Sequence, residues 1–330
     1  MDMETLRKFF EKINREGQFS GDLRYDEPMS RHTTFKVGGK ADAWVRPEKE
    51  TFPIYAAKLL EAAGEEGVPV FILGGGANIV VGDSGIRGIV LDTGAWQGSP
   101  NKLASPNKLA LDKPVKSEEG GGLSVRLLSG APVDSTVDQL AAEGLSGLEF
   151  LAGMPGSVGG AIWMNARCYE RSVSDALIET EILDEECRKQ VIPFRPEDFS
   201  YKKSPFQGRK VLILSGRFAV GRREPVKISD EMAVYRRDRV EKGHYRFPSA
   251  GSAFKNNRDF GEPTGRIIDQ LGLRGLKVGG AQVAPWHGNI IINTGGATAA
   301  DIKLLAAEVA KRVKEERGFD LEREILFIGE

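Results

Sequence analysis

Two glycine-rich stretches, Leu73-Gly-Gly-Gly-Ala-Asn78 and Ala152-Gly-Met-Pro-Gly-Ser-Val-Gly-Gly-Ala161, constrain this chain more than any other feature, because each can set bare backbone amides against an anion. The first follows the apolar run 68–73. Its residues Gly74, Gly75 and Gly76 can reach positive φ without a Cβ in the way, and Ala77 and Asn78 complete it. The second places Gly153, Pro155, Gly156, Ser157, Gly159, Gly160 and Ala161 just ahead of Ile162-Trp-Met-Asn165. Neither reads Gly-x-Gly-x-x-Gly at the head of a long helix, nor Gly-x-x-x-x-Gly-Lys-Ser/Thr, so the nicotinamide and P-loop fingerprints fail. Taken singly, each loop reads first as a turn. Their pairing points to one phosphate-bearing ligand held by two loops.

A chain of 330 residues is long for one hydrophobic core and predicts about two domains. With 46 basic and 47 acidic residues, nothing in the charge suggests nucleic acid as a partner. The charged, amphipathic N-terminus, and the lack of any apolar run near about 18 residues, predict a cytoplasmic protein. Cys168 and Cys187 form no Cys-x-x-Cys pair and fit a reducing compartment as unpaired thiols. His32, His244 and His287 lack the spacing of a zinc site, so no metal is expected.

Leu6, Phe9, Phe10 and Ile13 fall at helical spacing and predict an opening helix over 3–16. A second helix is expected over 52–65, then a strand into Leu73 and another over 88–91. From 97 to 122 the pattern stops, and Ser99-Pro-Asn-Lys-Leu-Ala104 is repeated as Ser105-Pro-Asn-Lys-Leu-Ala110, which predicts an inserted surface loop. A strand over 123–128 and a helix over 134–143 lead to the second glycine loop. Alternation in 178–183, and the apolar run 211–214 followed by 217–220, predict β-structure, and Arg222-Arg-Glu-Pro225 a boundary. Helices are expected over 229–242 and 264–273, a strand over 289–293, a helix capped by Thr298 with Asp301 at its third position, and a closing strand over 324–328.

Three short segments carry candidate chemistry. In Ser249-Ala-Gly-Ser-Ala-Phe-Lys-Asn256 the Ser252 hydroxyl can donate a proton, although a serine-capped turn is the plainer reading, and no Gly-x-Ser-x-Gly elbow marks an acyl-transfer nucleophile. Phe199-Ser-Tyr-Lys-Lys-Ser-Pro-Phe206 sets cations beside Tyr201, where a lysine can stabilise a developing carboxylate or enolate charge, or simply face water. Glu324 precedes the last apolar strand, a common place for a structural acid.

Together these segments line up with a known family. The chain resembles the UDP-N-acetylenolpyruvoylglucosamine reductases in His32-Thr-Thr-Phe35 with Gly38-Gly39, Ile72–Asn78, Gly147-Leu-Glu-Phe150 running into the second glycine loop, Met164-Asn-Ala166, Pro248–Asn256, Gly279-Gly-Ala-Gln282 and Leu321-Glu-Arg-Glu324. These motifs follow one another over nearly the whole chain. The resemblance implies an α+β protein with an FAD-binding fold of the vanillyl-alcohol-oxidase type over 1–220, in subdomains 1–93 and 94–220. It also implies a smaller α/β domain for the UDP-sugar over 221–330, whose last strand returns Glu324 to the active site, in the shorter branch that lacks a substrate-capping segment. Both glycine loops would hold the pyrophosphate of non-covalent FAD. Tyr201, Arg239, Lys255, Asn256 and Gln282 would bind substrate.

The implied chemistry moves a hydride from NADPH to flavin N5, and from N5 to the enolpyruvyl methylene carbon, in peptidoglycan precursor synthesis. Ser252 would protonate C2, while Glu324 and Lys202 stabilise the enolate. Lys202 departs from the family's usual arginine, keeping the charge but losing the two-pronged grip on a carboxylate. Arg167-Cys168 and Arg323 also depart from the small residues and the proline usual at those places. Two other readings fit the same motifs: a flavin oxidase of the same fold, and a non-catalytic binder of flavin or UDP-sugar. The retained Ser252 and Glu324 argue against the second.

Overall fold

The computed structural model describes residues 3–14, 19–97, 115–116 and 123–329. Residues 15–16 of the expected first helix lie outside the described residues, as does the expected insertion 97–122 apart from Gln97 and the strand Val115–Lys116. Packing divides the chain into two units, one holding 1–24, 43–75 and 88–236, the other 25–42, 76–87 and 237–330. These units are defined by contacts, whereas the domains expected over 1–220 and 221–330 are defined by ligand.

In the first unit, α1 (Met3–Asn14) buries Leu6, Phe9, Phe10 and Ile13, the stripe that its periodicity predicts. Burial of the two phenylalanines contributes about 2–3 kcal/mol each. The helix α2 (Phe52–Glu65) has a proline in its first turn and buries Phe52, Tyr55 and Leu59. Strands Gly21–Pro28, Lys40–Pro47, Ile86–Asp92 and Val70–Leu73 form a sheet in that order, the last two parallel. At its end the buried Asp92 carboxylate accepts from the Trp44 indole (3.1 Å), Arg46 (2.9 Å) and the Gly94 amide (2.7 Å), which compensates the desolvated charge. Thr93 donates to the Leu73 carbonyl through both its amide (2.9 Å) and its hydroxyl (3.0 Å), fixing the point where the first glycine loop leaves its strand.

The larger sheet of this unit is antiparallel in the order Lys189–Pro193, Leu177–Leu183, Leu212–Arg222, Leu123–Leu128 and Val115–Lys116. Helices α3 (Val133–Ala142), α4 (Val158–Trp163) and α5 (Pro225–Glu241) add Val137, Leu140, Ile162 and Ile228 to a core with Phe150, Phe206 and Phe218. The β-structure expected over 211–214 and 217–220 is one strand, Leu212–Arg222. Gly216 lies between them not as a break but as a close approach, since a Cβ there would come within 2.6 Å of Ile162 Cδ1.

In the second unit, strands Lys277–Val278, Ala281–Val283 and Ile291–Asn293 form an antiparallel sheet. Helices α6 (Thr264–Gln270) and α7 (Ala299–Arg317) join Phe254, Ile267, Ile302, Leu305 and Val309 in one core. The expected Thr298–Asp301 capping box is present, and Asp83 accepts from the Ala299 (2.7 Å) and Ala300 (2.9 Å) amides, so the first turn of α7 is satisfied. Strand Leu326–Ile328 pairs parallel with Ile79–Val81. No helix among the described residues is long and apolar enough to cross a membrane.

Candidate active site

The first unit brings the two glycine loops together backbone to backbone. A Cβ on Gly75 would lie 2.5 Å from Gly156 Cα, and one on Gly74 would lie 2.5 Å from Ser157 Oγ. No side chain fits between them. Gly153 and Gly156 have φ of 73° and 109°, conformations that favour glycine, and the Gly153 amide is held by Asp134 at 2.6 Å. Ser157 caps α4 by accepting from Gly160 N at 3.3 Å, and the Gly159 amide bonds Ser129 O at 2.8 Å, so the second loop is rigidly based; Ala161 N closes on Ser157 O at 2.9 Å. Among the described residues, the main-chain N–H groups of Gly74, Gly75, Gly156 and Ser157 donate to no protein acceptor. Two touching loops with undonated amides, and no Cβ between them, suit the pyrophosphate of FAD. Pro155, at the exposed tip, supplies no donor.

The same unit places Tyr201 and Lys202 in a turn tied to the far end of α4. Ser200 and Lys203 exchange main-chain bonds of 3.2 and 3.0 Å, and Lys202 takes φ of 57°. Ser204 Oγ donates to Trp163 O at 2.6 Å, and Asn165 Nδ2 donates to Ser200 O at 2.9 Å. Gln207 Nε2 donates to both Trp163 O (2.9 Å) and Lys202 O (3.1 Å). Asn165 is buried, has φ of 42°, and its Oδ1 accepts from Ser174 N at 3.1 Å. Arg167 turns to Glu170 (2.7 Å) and Cys168 donates to Phe150 O (2.9 Å).

The second unit gathers the tail of the first loop with the expected acid and proton donor. Gly76 has φ of 61°, and a Cβ there would sit 2.0 Å from His32 O; its own carbonyl accepts from Thr34 N at 3.1 Å. The His32-Thr-Thr-Phe35 motif thus clamps the turn that leads through Ala77 to Asn78. Asn78 Nδ2 donates to Glu324 O at 3.1 Å, and Leu326 N to Asn78 O at 3.0 Å. Glu324 N in turn donates to Ala253 O at 2.9 Å, beside Ser252. Asn78, Ser252 and Glu324 are far apart in sequence, and these three hydrogen bonds join their segments. Glu324 is buried and Ser252 half-buried.

The expected substrate residues are less uniform. Lys255 is paired with Glu322 (2.6 Å), and Arg323 stacks its guanidinium over the Phe327 ring at 5.0 Å. Asn256 Oδ1 accepts from Thr264 N at 2.9 Å at the start of α6, and Gln282 donates to Gly275 O at 3.1 Å. Arg239 is buried near the end of α5. Burial and the Arg239 charge push the neighbouring His244 down to about 4. Sequence reasoning missed Asn289, which is buried and clamps Phe254 by accepting from its amide (2.9 Å) and donating to its carbonyl (2.8 Å). It also missed Gln207.

Residues 243–328 match the family model described as UDP-N-acetylenolpyruvoylglucosamine reductase, C-terminal domain. A reductase of that name from Treponema denticola is 38% identical over 94% of this chain and 94% of its own length. The chain belongs to the UDP-N-acetylenolpyruvoylglucosamine reductase family. The reductase from Borrelia garinii subsp. bavariensis is 36% identical over 99% of this chain and 98% of its own. The crystal structure of the Thermus caldophilus reductase superposes with a TM-score of 0.70 at 31% identity, covering 94% of this chain and 99% of that one. Residues 45–188, which contain both glycine loops, match an FAD binding domain, so the expected α+β FAD-binding fold and its cofactor are borne out. The reductase C-terminal match spans Ser252, Lys255, Asn256, Gln282 and Glu324.

Proposed function

We propose that this reductase-family protein converts UDP-N-acetylglucosamine enolpyruvate to UDP-N-acetylmuramate, using NADPH and FAD, in peptidoglycan precursor synthesis. Bound FAD supplies the two-electron carrier between NADPH and the enolpyruvyl double bond. The glycine-loop amides of Gly74, Gly75, Gly156 and Ser157 hold its pyrophosphate, with Gly76, Ala77 and Asn78 continuing the loop. The Ser252 hydroxyl delivers a proton to C2 of the substrate, completing reduction of the double bond. Glu324 polarises the enolpyruvyl group, and the Lys202 ammonium opposes the negative charge that grows on its carboxylate. Tyr201, Arg239, Lys255, Asn256 and Gln282 bind the UDP-sugar, and the site of action is the cytoplasm.

The observation that supports this reading is the Asn78–Glu324–Ala253 hydrogen-bond path, which joins the segments that carry Glu324 and Ser252 to the tail of the first glycine loop. The test is direct. Denaturing the purified protein should release FAD, and NADPH absorbance should fall only when UDP-N-acetylglucosamine enolpyruvate is added. Consumption that needs oxygen and ignores the UDP-sugar would identify an oxidase instead. Bound flavin with no consumption would leave a binding protein.

A further inference from the structure

The turn that carries Lys202 is strained and tethered in a way that sequence motifs do not express. Lys202 occupies the left-handed region at φ of 57°, which costs a residue with a Cβ about 1–2 kcal/mol and persists only where its surroundings impose it. The Lys202 carbonyl is one of two that share the Gln207 amide, at 3.1 Å, the other being Trp163 O at 2.9 Å. Trp163 is the last residue of α4, the short helix that begins at the second glycine loop. One side-chain amide therefore joins the backbone of Lys202 to the element that extends from the flavin loop. Ser204 and Asn165 tie the neighbouring residues to the same segment.

We infer that Gln207 is a positioning residue that fixes the Lys202 backbone against the end of α4. This rests on the assignment of Lys202 to the substrate carboxylate. The requirement is for a donor: both partners are carbonyl oxygens, so an amide or an ammonium can bridge them, whereas a carboxylate or a hydrocarbon cannot. Displacement of a charge from its productive place by even an ångström can cost about 100-fold in rate, so a loosened turn acts on kcat.

The test compares Gln207→Leu, Gln207→Lys, Lys202→Ala and the double variant Gln207→Leu/Lys202→Ala as flavin-loaded enzyme, with NADPH consumption as the readout. Gln207→Leu should lower kcat about tenfold or more with normal flavin content, and Gln207→Lys, which keeps a donor, should recover most of it. In the Lys202→Ala background, Gln207→Leu should add no further loss, because the charge that it positions is gone. A wild-type kcat in Gln207→Leu overturns the inference. So does a loss that multiplies with that of Lys202→Ala, or one that Gln207→Lys fails to recover although the protein melts normally. Wild-type turnover in Lys202→Ala alone refutes the Lys202 assignment itself, and an impaired Lys202→Ala with multiplying losses refutes only the positioning role.

Discussion

Replacing Gly75 with alanine tests the contact between the two glycine loops. Gly75 does not need positive φ, so alanine brings no backbone strain there, only a methyl group 2.5 Å from Gly156 Cα and 2.8 Å from its carbonyl carbon. Carbon atoms in contact sit about 3.5–4.0 Å apart, so the loops must separate by about 1 Å. A hydrogen bond of about 2.9 Å stretched by that much is lost. Bonds to a charged partner are worth about 1.5–3 kcal/mol each, so losing one or two donors to the pyrophosphate costs about 3 kcal/mol. That corresponds to about a 100-fold rise in the Kd for FAD. The assay is titration of flavin-stripped protein with FAD, followed by quenching of flavin fluorescence, with thermal melting to verify folding. Gly64, in α2, is the control, because an added methyl there would meet nothing within 4 Å. Gly64→Ala should keep the wild-type Kd and gain about 0.5–1 kcal/mol of stability. A folded Gly75→Ala protein with wild-type affinity would refute the claim that the meeting of the loops shapes the flavin site.

Ser252→Ala should reduce turnover by about 100-fold or more while leaving the bleaching of bound flavin by NADPH unchanged, because only delivery of the proton to C2 is lost; equal slowing of both would remove Ser252 from that role. Lys202→Arg should lower the KM for the enolpyruvyl substrate by about fivefold by restoring a planar two-pronged grip, which steady-state kinetics will show. Burial, Arg239, His287 and Lys242 hold His244 neutral against the opposing pull of Asp238, so the unfolded chain binds a proton there between about pH 6.5 and 4 and the folded chain does not. Stability should therefore be full above about pH 6.5 and fall as pH drops toward 4, by about 2–3 kcal/mol once partial exposure of the ring is allowed for. His244→Gln should flatten that part of the denaturation profile.

The sequence is most legible where local chemistry and periodicity act alone. The buried stripe of α1 and the Thr298–Asp301 box of α7 are readable because neighbouring residues make them, and the helix over 52–65 has the bounds expected for it. Strands Gly21–Pro28 and Lys40–Pro47 escape such reading, because the first is largely charged and the second is buried without alternation. The reason for Gly216, Ile162 pressing on the strand, comes from a distant segment and leaves no local signal. The glycine loops and the motifs around Ser252 and Glu324 are legible by resemblance. Gln207 and Asn289 are not, since each works by bonding main-chain groups of residues that give no pattern to match.

The interleaving of the two units has a genetic consequence. The chain passes from one to the other at 24/25, 42/43, 75/76, 87/88 and 236/237, so the first glycine loop is itself split by a passage. A polypeptide starting at residue 237 would keep Leu326–Ile328 but lose Ile79–Val81, leaving an open strand edge prone to aggregation, and α7 would lose Asp83 from its first turn. No single cut in the gene therefore leaves both units whole. A single recombination point cannot transplant a working half, and exchange between relatives at this locus must either keep the whole reading frame or substitute residues one at a time.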